Sequence, residues 1–386
     1  MYKLYLIGCG PGDESLFTER AKSLINRARK VLYTRETPLT EIISILKDKC
    51  IDEIAVLVSG DSGFYSISKT ICDEFSDTYD IEQVPGISSI QYMSSKLKIP
   101  YDDAKLLSLH GREGSIVPKV TYNRKVFVLT GGSNGVHRVI DDLCNHGLDD
   151  VFIHIGEKLS YPQERIINGR AYELIDMQFD TMSVMYIENM SAVSPHAPLF
   201  DNDFIRADVP MTKEEIRSLA VQKLRISPND VVYDIGAGTG SVSIELARKA
   251  FESFVYAIEK NDAACRLISE NASVHCAHNL EIINGTAPDA LHGLPIANKA
   301  FIGGSMGSMK SIIRHLFTTN PKITVVTTAI TIQTLNDAIE GFHECGVSTP
   351  DVICVNIAKL KTLGNSDMMI AQNPIYIISG TGGLNK

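Results

Sequence analysis

The stretch Val231-Val-Tyr-Asp-Ile-Gly-Ala-Gly-Thr-Gly240 constrains the fold more than any other part of this chain. An apolar run passes directly into three glycines at alternate positions, then into a helical pattern from Ser241 to Lys249. A strand that feeds a helix through so tight a turn belongs to an α/β architecture, whose ligand sits outside the carboxyl end of the strand. Glycines there let a ligand approach the backbone with no Cβ in the way. A dinucleotide site would place its third Gly or Ala at position 241; Ser241 stands there, and Gly240 comes one residue early. Asp234, two residues before Gly236, disfavours a pyrophosphate and suits a cation. Glu259 ends the next apolar run, 19 residues past Gly240, where a carboxylate accepts from both hydroxyls of a ribose. The combination points to S-adenosylmethionine, which has cationic centres and no pyrophosphate. Gly236, Gly238, Gly240, Asp234 and Glu259 are the expected contacts, with Gly285-Thr286-Ala287 after the third strand.

A second loop, Leu6-Ile-Gly8-Cys-Gly10-Pro-Gly12-Asp13, also joins a strand to a helix, and Asp13 breaks the dinucleotide spacing there too. Around these loops, short apolar runs alternate with helical patterns along the whole chain. In the first half the runs are Lys3–Ile7, Lys30–Tyr33, Ile54–Val58 and Asp80–Val84, then Leu106–Leu109, Lys125–Leu129, Val151–Ile155 and Met182–Ile187. They predict two small α/β lobes meeting near residue 110. Ser191-Ala-Val-Ser-Pro-His-Ala-Pro198 reads as a linker. Beyond it, runs at 230–235, 254–258, 280–283, 299–302, 323–327, 352–357 and 375–378 predict a doubly wound, seven-strand sheet. The last two are too close for a comfortable helical crossover, so an antiparallel final pair is expected. The domains expected are residues 1–200 and 201–386.

The net charge of −9 and the lack of any Lys/Arg run argue against a nucleic-acid partner. The eight cysteines are scattered without a C-x-x-C, and the chain opens on a strand-like run. Neither a secretory signal nor a membrane span is read, and a cytoplasmic location is expected. His275-Cys276-Ala-His278 is a single short cluster without a distant partner pair, so no metal is expected. Asn373-Pro-Ile-Tyr376 resembles the N-P-P-Y motif of amino-group methyltransferases, but it opens the last strand and not the fourth, and reads as a strand start.

Several further stretches carry a family resemblance. Gly8-Cys-Gly-Pro-Gly12, Val58-Ser-Gly-Asp61 with Gly63-Phe-Tyr65, Val84-Pro-Gly-Ile-Ser-Ser89, Leu109-His-Gly-Arg112, and Gly156-Glu157 with Leu159-Ser-Tyr-Pro162 resemble the tetrapyrrole (class III) methyltransferases, in particular the corrin C5 branch. Pro210-Met-Thr-Lys213 with Glu215, the Asp234–Gly240 loop and Phe301-Ile-Gly-Gly-Ser305 resemble the class I corrin C15-methyltransferases/decarboxylases. The fused order resembles the bifunctional precorrin-6Y C5,15-methyltransferases (decarboxylating) of cobalamin biosynthesis. This implies two S-adenosylmethionine sites, a polycarboxylate corrin precursor as substrate, with or without cobalt, and a homo-oligomer. It implies cofactor contacts at Gly8, Gly10, Pro11, Gly12, Gly60, Asp61, Ser88 and Ser89 in the first half. Candidate substrate contacts are Arg35, Arg112, Arg165, Arg206, Thr212, Lys213, Gly304 and Ser305, with His110, Lys213 and Ser305 as candidates for proton handling. The chain departs from the family pattern at Ser62 (often Pro), Gly131 (often Asp) and Met306 (usually Gly), which bears on substrate fit. A tRNA or protein target, or one half acting as a non-catalytic binding module, are the competing readings.

Overall fold

The computed structural model describes residues 2–109, 114–131, 135–364 and 366–383. It divides into two compact units, residues 1–116 with 124–190, and residues 117–123 with 191–386.

Among the described residues the first unit contains nine strands: β1 (Tyr2–Gly8), β2 (Lys30–Tyr33), β3 (Glu53–Val58), β4 (Tyr79–Val84), β5 (Lys105–Ser108), β6 (Lys125–Leu129), β7 (Phe152–Glu157), β8 (Arg165–Arg170) and β9 (Ser183–Glu188). The first four form a parallel sheet in the order β2-β3-β1-β4. The other five form a mixed sheet in the order β5-β6-β9-β7-β8. Two sheets are thus present, as the two-lobe reading expects. β3 is buried along Ile54-Ala-Val-Leu-Val58, as befits a parallel strand covered on both faces. Local signals set the helix starts. Thr18 caps Glu19–Arg27, and Ser88 with Gln91 makes a reciprocal capping box at Ser89–Leu97.

The second unit is built on β10 (Val232–Ile235), β11 (Val255–Glu259), β12 (Leu280–Asn284), β13 (Lys299–Ile302), β14 (Thr324–Ala329), β15 (Asp351–Val355), β16 (Ala358–Leu363), β17 (Ser366–Ala371) and β18 (Ile375–Thr381). Seven of these form one sheet in the order β12-β11-β10-β13-β14-β18-β15. Its first five strands are parallel, and β18 runs antiparallel to both β14 and β15. The antiparallel final pair agrees with the sequence reading. The span between β15 and β18 is filled by the β16–β17 hairpin, which the sequence reading did not assign. It has no apolar face turned to a core: Leu360 and Met369 are 64% and 62% exposed. The core lies on the two faces of the large sheet, with Ile302, Ile313, Val325 and Phe342 on one and Val232, Ile244, Leu246 and Phe301 on the other. Burial of each such side chain contributes roughly 1.5–3 kcal/mol.

Candidate active sites

In the second unit the parallel strands reverse their order once, at β10. Following the chain in the second unit, β10, β11 and β12 step outward in one direction and β13 begins the other. The crevice outside the carboxyl ends of β10 and β13 is therefore the topological switch point, where an open α/β sheet binds its ligand. Both strands are followed by glycine, Gly236 after β10 and Gly303-Gly304 after β13. Gly236 has φ +74°, and a Cβ built there would lie 2.7 Å from the amide nitrogen and carbonyl oxygen of Gly304. No side chain fits between these backbones, so the loops after β10 and β13 close the crevice floor as bare main chain. The first unit repeats the device. Its switch point falls between β1 and β4, and a Cβ on Gly8 would lie 2.6 Å from the Gly86 nitrogen and 2.8 Å from the Gly60 oxygen. Gly10 and Gly60 exchange amide hydrogen bonds of 3.0 and 2.8 Å, tying the loop after β1 to the loop after β3.

The second crevice opens into a cavity of about 610 Å³. Its wall brings together Thr212, Lys213, Asp234, Gly236, Gly238, Glu259, Gly285, Thr286, Ala287, Gly304 and Ser305. Glu259 accepts from the Gly238 amide at 3.0 Å through one oxygen and from the Asn261 amide at 3.0 Å through the other. A carboxylate oxygen has two acceptor sites, so each keeps one for a hydroxyl group. Asp234 is fully buried, and one of its oxygens accepts from the Ser243 hydroxyl. Its other oxygen has no hydrogen-bond partner among the described residues. Burial pushes its acid up to about 7; the Ser243 hydrogen bond opposes this, and the nearby Glu259 charge adds to it. An orphaned, buried acceptor on a cavity wall suits a cationic donor.

Two buried residues absent from the sequence reading build this wall. Asn271 donates to the Ile205 and Thr239 carbonyls at 3.1 and 3.0 Å and accepts from the Ile205 amide at 2.7 Å, clamping the 199–212 segment to the glycine loop. Arg217, with no exposed surface, bonds Asp201 at 2.9 Å, Glu245 at 2.5 Å and the Thr212 carbonyl at 2.9 Å, and stacks over Phe204. Arg217 lies four residues past Lys213 on the helix Glu214–Leu224, and nothing in its spacing marks it as buried.

In the first unit, several predicted contacts have internal partners. Asp61 accepts from the Gly63 amide at 2.8 Å and the Gly86 amide at 3.0 Å. Ser88 accepts from the Gln91 amide as a helix cap. Ser89 begins that helix. Arg35 donates to Ser59 and to the Pro11 carbonyl, both at 2.9 Å, and to the Tyr161 hydroxyl, bracing the first glycine loop. Gly12 lies against the Tyr161 ring, 2.4 Å from where a Cβ would stand. Arg165 pairs with Glu157 at 2.7 Å; in the second unit, Arg206 bonds the Asp201 carbonyl at 2.9 Å. His110 and Arg112 lie outside the described residues. Gly86, which the sequence reading did not single out as a contact, lies two residues past β4, and Gly8 is the last residue of β1.

The sequence can now be compared with known proteins. Residues 203–381 match the precorrin methyltransferase domain, and residues 34–175 match the tetrapyrrole (corrin/porphyrin) methylases. The probable cobalt-precorrin-6B C(15)-methyltransferase (decarboxylating) of Pyrobaculum calidifontis is 37% identical over 182 residues, 46% of this chain and 93% of that protein. The chain belongs to the precorrin methyltransferases. The cobalt-precorrin-6B C(15)-methyltransferase (decarboxylating) of Salmonella typhimurium is 36% identical over 184 residues, again 46% of this chain and 93% of that one. A precorrin-6Y C5,15-methyltransferase structure from Geobacter metallireducens covers 48% of this chain and 97% of its own at 34% identity, with a TM-score of 0.45. As a precorrin methyltransferase the chain joins two families that use S-adenosylmethionine. The second crevice suits that cofactor: a bare backbone floor, a carboxylate with two free acceptor sites, and an orphaned buried oxygen for a cation. No helix among the described residues is long and apolar enough to cross a membrane.

Proposed function

We propose that the chain methylates a precorrin or cobalt-precorrin at C5 with its first unit and at C15 with its second, and removes a ring acetate as carbon dioxide, using one S-adenosylmethionine site in each unit. The observation that carries this is the pairing of glycine backbones at both switch points, Gly8 against Gly86 and Gly236 against Gly304, in a chain whose halves match two precorrin-related methyltransferase families. Each crevice has its own cradle, which supports two sites.

When bound, the cofactor supplies an electrophilic methyl group on a sulfonium. In the second unit the free acceptor sites of Glu259 would hold the ribose, and the orphaned Asp234 oxygen would accept from the ammonium. The enamine-like ring carbon needs no covalent help; it needs alignment, which contributes on the order of 7–11 kcal/mol. Thr212 and Lys213 line the same cavity as Ser305. Lys213 would orient a ring carboxylate by charge, and the Ser305 hydroxyl would hold a proton near the ring. Water is displaced from the cavity by the two ligands together, which strengthens each of these contacts.

A mass-resolved turnover assay with S-adenosylmethionine and the reduced corrin precursor, with and without cobalt, tests the reading. Gain of two methyl groups with loss of one carbon dioxide is expected. No mass change with cofactor bound would sink the corrin assignment.

A further inference from the structure

Eight non-glycine residues have positive φ among the described residues. Lys49, Lys98 and Arg225 are helix C-caps, and Cys276 follows the cap of the helix Asp262–Val274; there the left-handed turn ends a helix. Tyr65, Lys158, Ser160 and Met306 lie in loops, and of these Met306 alone belongs to the second unit. It has φ +49° and precedes Gly307 at +88°. The two form the centre of a turn closed by the Ser308 amide donating to the Ser305 carbonyl at 2.9 Å. Positive φ at both central positions is a turn type made for Gly, Asn and Asp. Methionine has no local hydrogen bond to offset the clash of its Cβ with the backbone. Nor does the fold hold this side chain, which is 70% exposed. A strained residue without internal support is a sign of function.

The same turn forms the cavity wall. Met306 lines it beside Ser305, and Ile330, directly after β14 and 63% exposed, lines it too. Asp234, Gly236 and Glu259 come from β10 and β11, on one side of the switch point; Met306 and Ile330 follow β13 and β14, on the other. The cofactor contacts and these two apolar side chains therefore belong to opposite halves of one cavity. Resting on the function proposed above, we propose that Met306 and Ile330 form an apolar lip that lies against the flat face of the macrocyclic substrate and holds its reacting carbon toward the cofactor. A ring with an apolar face and a carboxylate perimeter matches an apolar lip with Lys213 on the same wall. A thioether is polarisable and conforms to such a face.

The test compares wild type with Met306→Gly, Met306→Leu and Ile330→Ser in the full chain. Met306→Gly relieves the left-handed strain, so its melting temperature holds or rises. Its KM for the corrin precursor rises roughly tenfold, as loss of one buried apolar side chain implies, and kcat falls with the loss of alignment, while S-adenosylmethionine affinity holds. Ile330→Ser raises KM in the same way, and Met306→Leu keeps most of the affinity. An unchanged KM in both Met306→Gly and Ile330→Ser overturns the lip. A lower melting temperature together with weaker cofactor binding in Met306→Gly also overturns it, since the residue would then be supporting the fold. Fluorescence quenching of uroporphyrin III, measured in parallel, separates this idea from the functional reading. If wild type binds that ring but turns over no corrin, and Met306→Gly loses the binding, the reading of function fails and the lip stands. If wild type neither binds the ring nor turns over the corrin, both fail.

Discussion

Replacing Asp234 by asparagine isolates the energetic consequence of burying an acid beside the glycine loop. Asp234 is fully buried, and its pKa is pushed from 3.8 to about 7, chiefly by desolvation. With the folded pKa above the unfolded one, the acid's favourable contribution is complete below about 3.8 and is lost as pH rises through about 7. The shift of about three units corresponds to a ceiling of about 4 kcal/mol at alkaline pH. Between about pH 5 and about pH 8 the expected loss is roughly 2–3 kcal/mol, because the unfolded acid is already ionised at the lower pH. Asparagine is near-isosteric, accepts from Ser243 and does not titrate. Its own fixed effects cancel in the difference between the two pH values. Hydrogen exchange of the β10 amides, corrected for intrinsic rates, reads the local opening free energy in wild type and Asp234→Asn without cofactor. The variant should gain on wild type by that amount between the two pH values. An equal difference at both would refute the reasoning, since Asp234 would not then be titrating in that window.

Three further outcomes follow from the geometry. Gly236→Ala places a methyl group 2.7 Å from the Gly304 backbone, and Gly8→Ala places one 2.6 Å from the Gly86 amide; on the proposed reading of one S-adenosylmethionine site in each unit, each should remove one calorimetric binding event, and the double variant both. Arg217→Met leaves Asp201 and Glu245 without their buried partner and should cost about 3–5 kcal/mol in denaturant unfolding, with weaker cofactor binding because Thr212 loses its anchor. Arg35→Lys keeps the charge but cannot bridge Ser59, Pro11 and Tyr161 at once; C5 methylation should fall severalfold while C15 methylation, followed in the same mass assay, holds.

Most parallel strands were legible because they are short apolar runs bounded by turn residues, β4 (Tyr-Asp-Ile-Glu-Gln-Val) being more polar, and the glycine spacing marked both strand-to-helix loops. β8 was not, since Arg165-Ile-Ile-Asn-Gly-Arg170 mixes charge and glycine with only a brief apolar stretch. The β16–β17 hairpin escaped for a different reason: its alternation has no buried face in the unit to register against. At the sites, sequence marks residues near a glycine loop without revealing what already occupies them. Asp61 and Ser88 look like free polar groups in sequence, yet backbone amides occupy one and a helix start the other. Asn271 sits mid-helix, and only the fold shows that the Ile205 and Thr239 carbonyls converge on it.

The position of β18 has a consequence for the timing of folding. β15 is synthesised before β18, yet its neighbour in the sheet is β18, which also covers the edge of β14. As the polypeptide leaves the ribosome, β14 and β15 must each wait with an unpaired edge for a strand made later. The β16–β17 hairpin between β15 and β18 folds from contacts within its own sequence and can form during that wait. Closure of the sheet thus waits for β18, and a nascent chain stopped before residue 375 would present two open edges to whatever chaperone meets it.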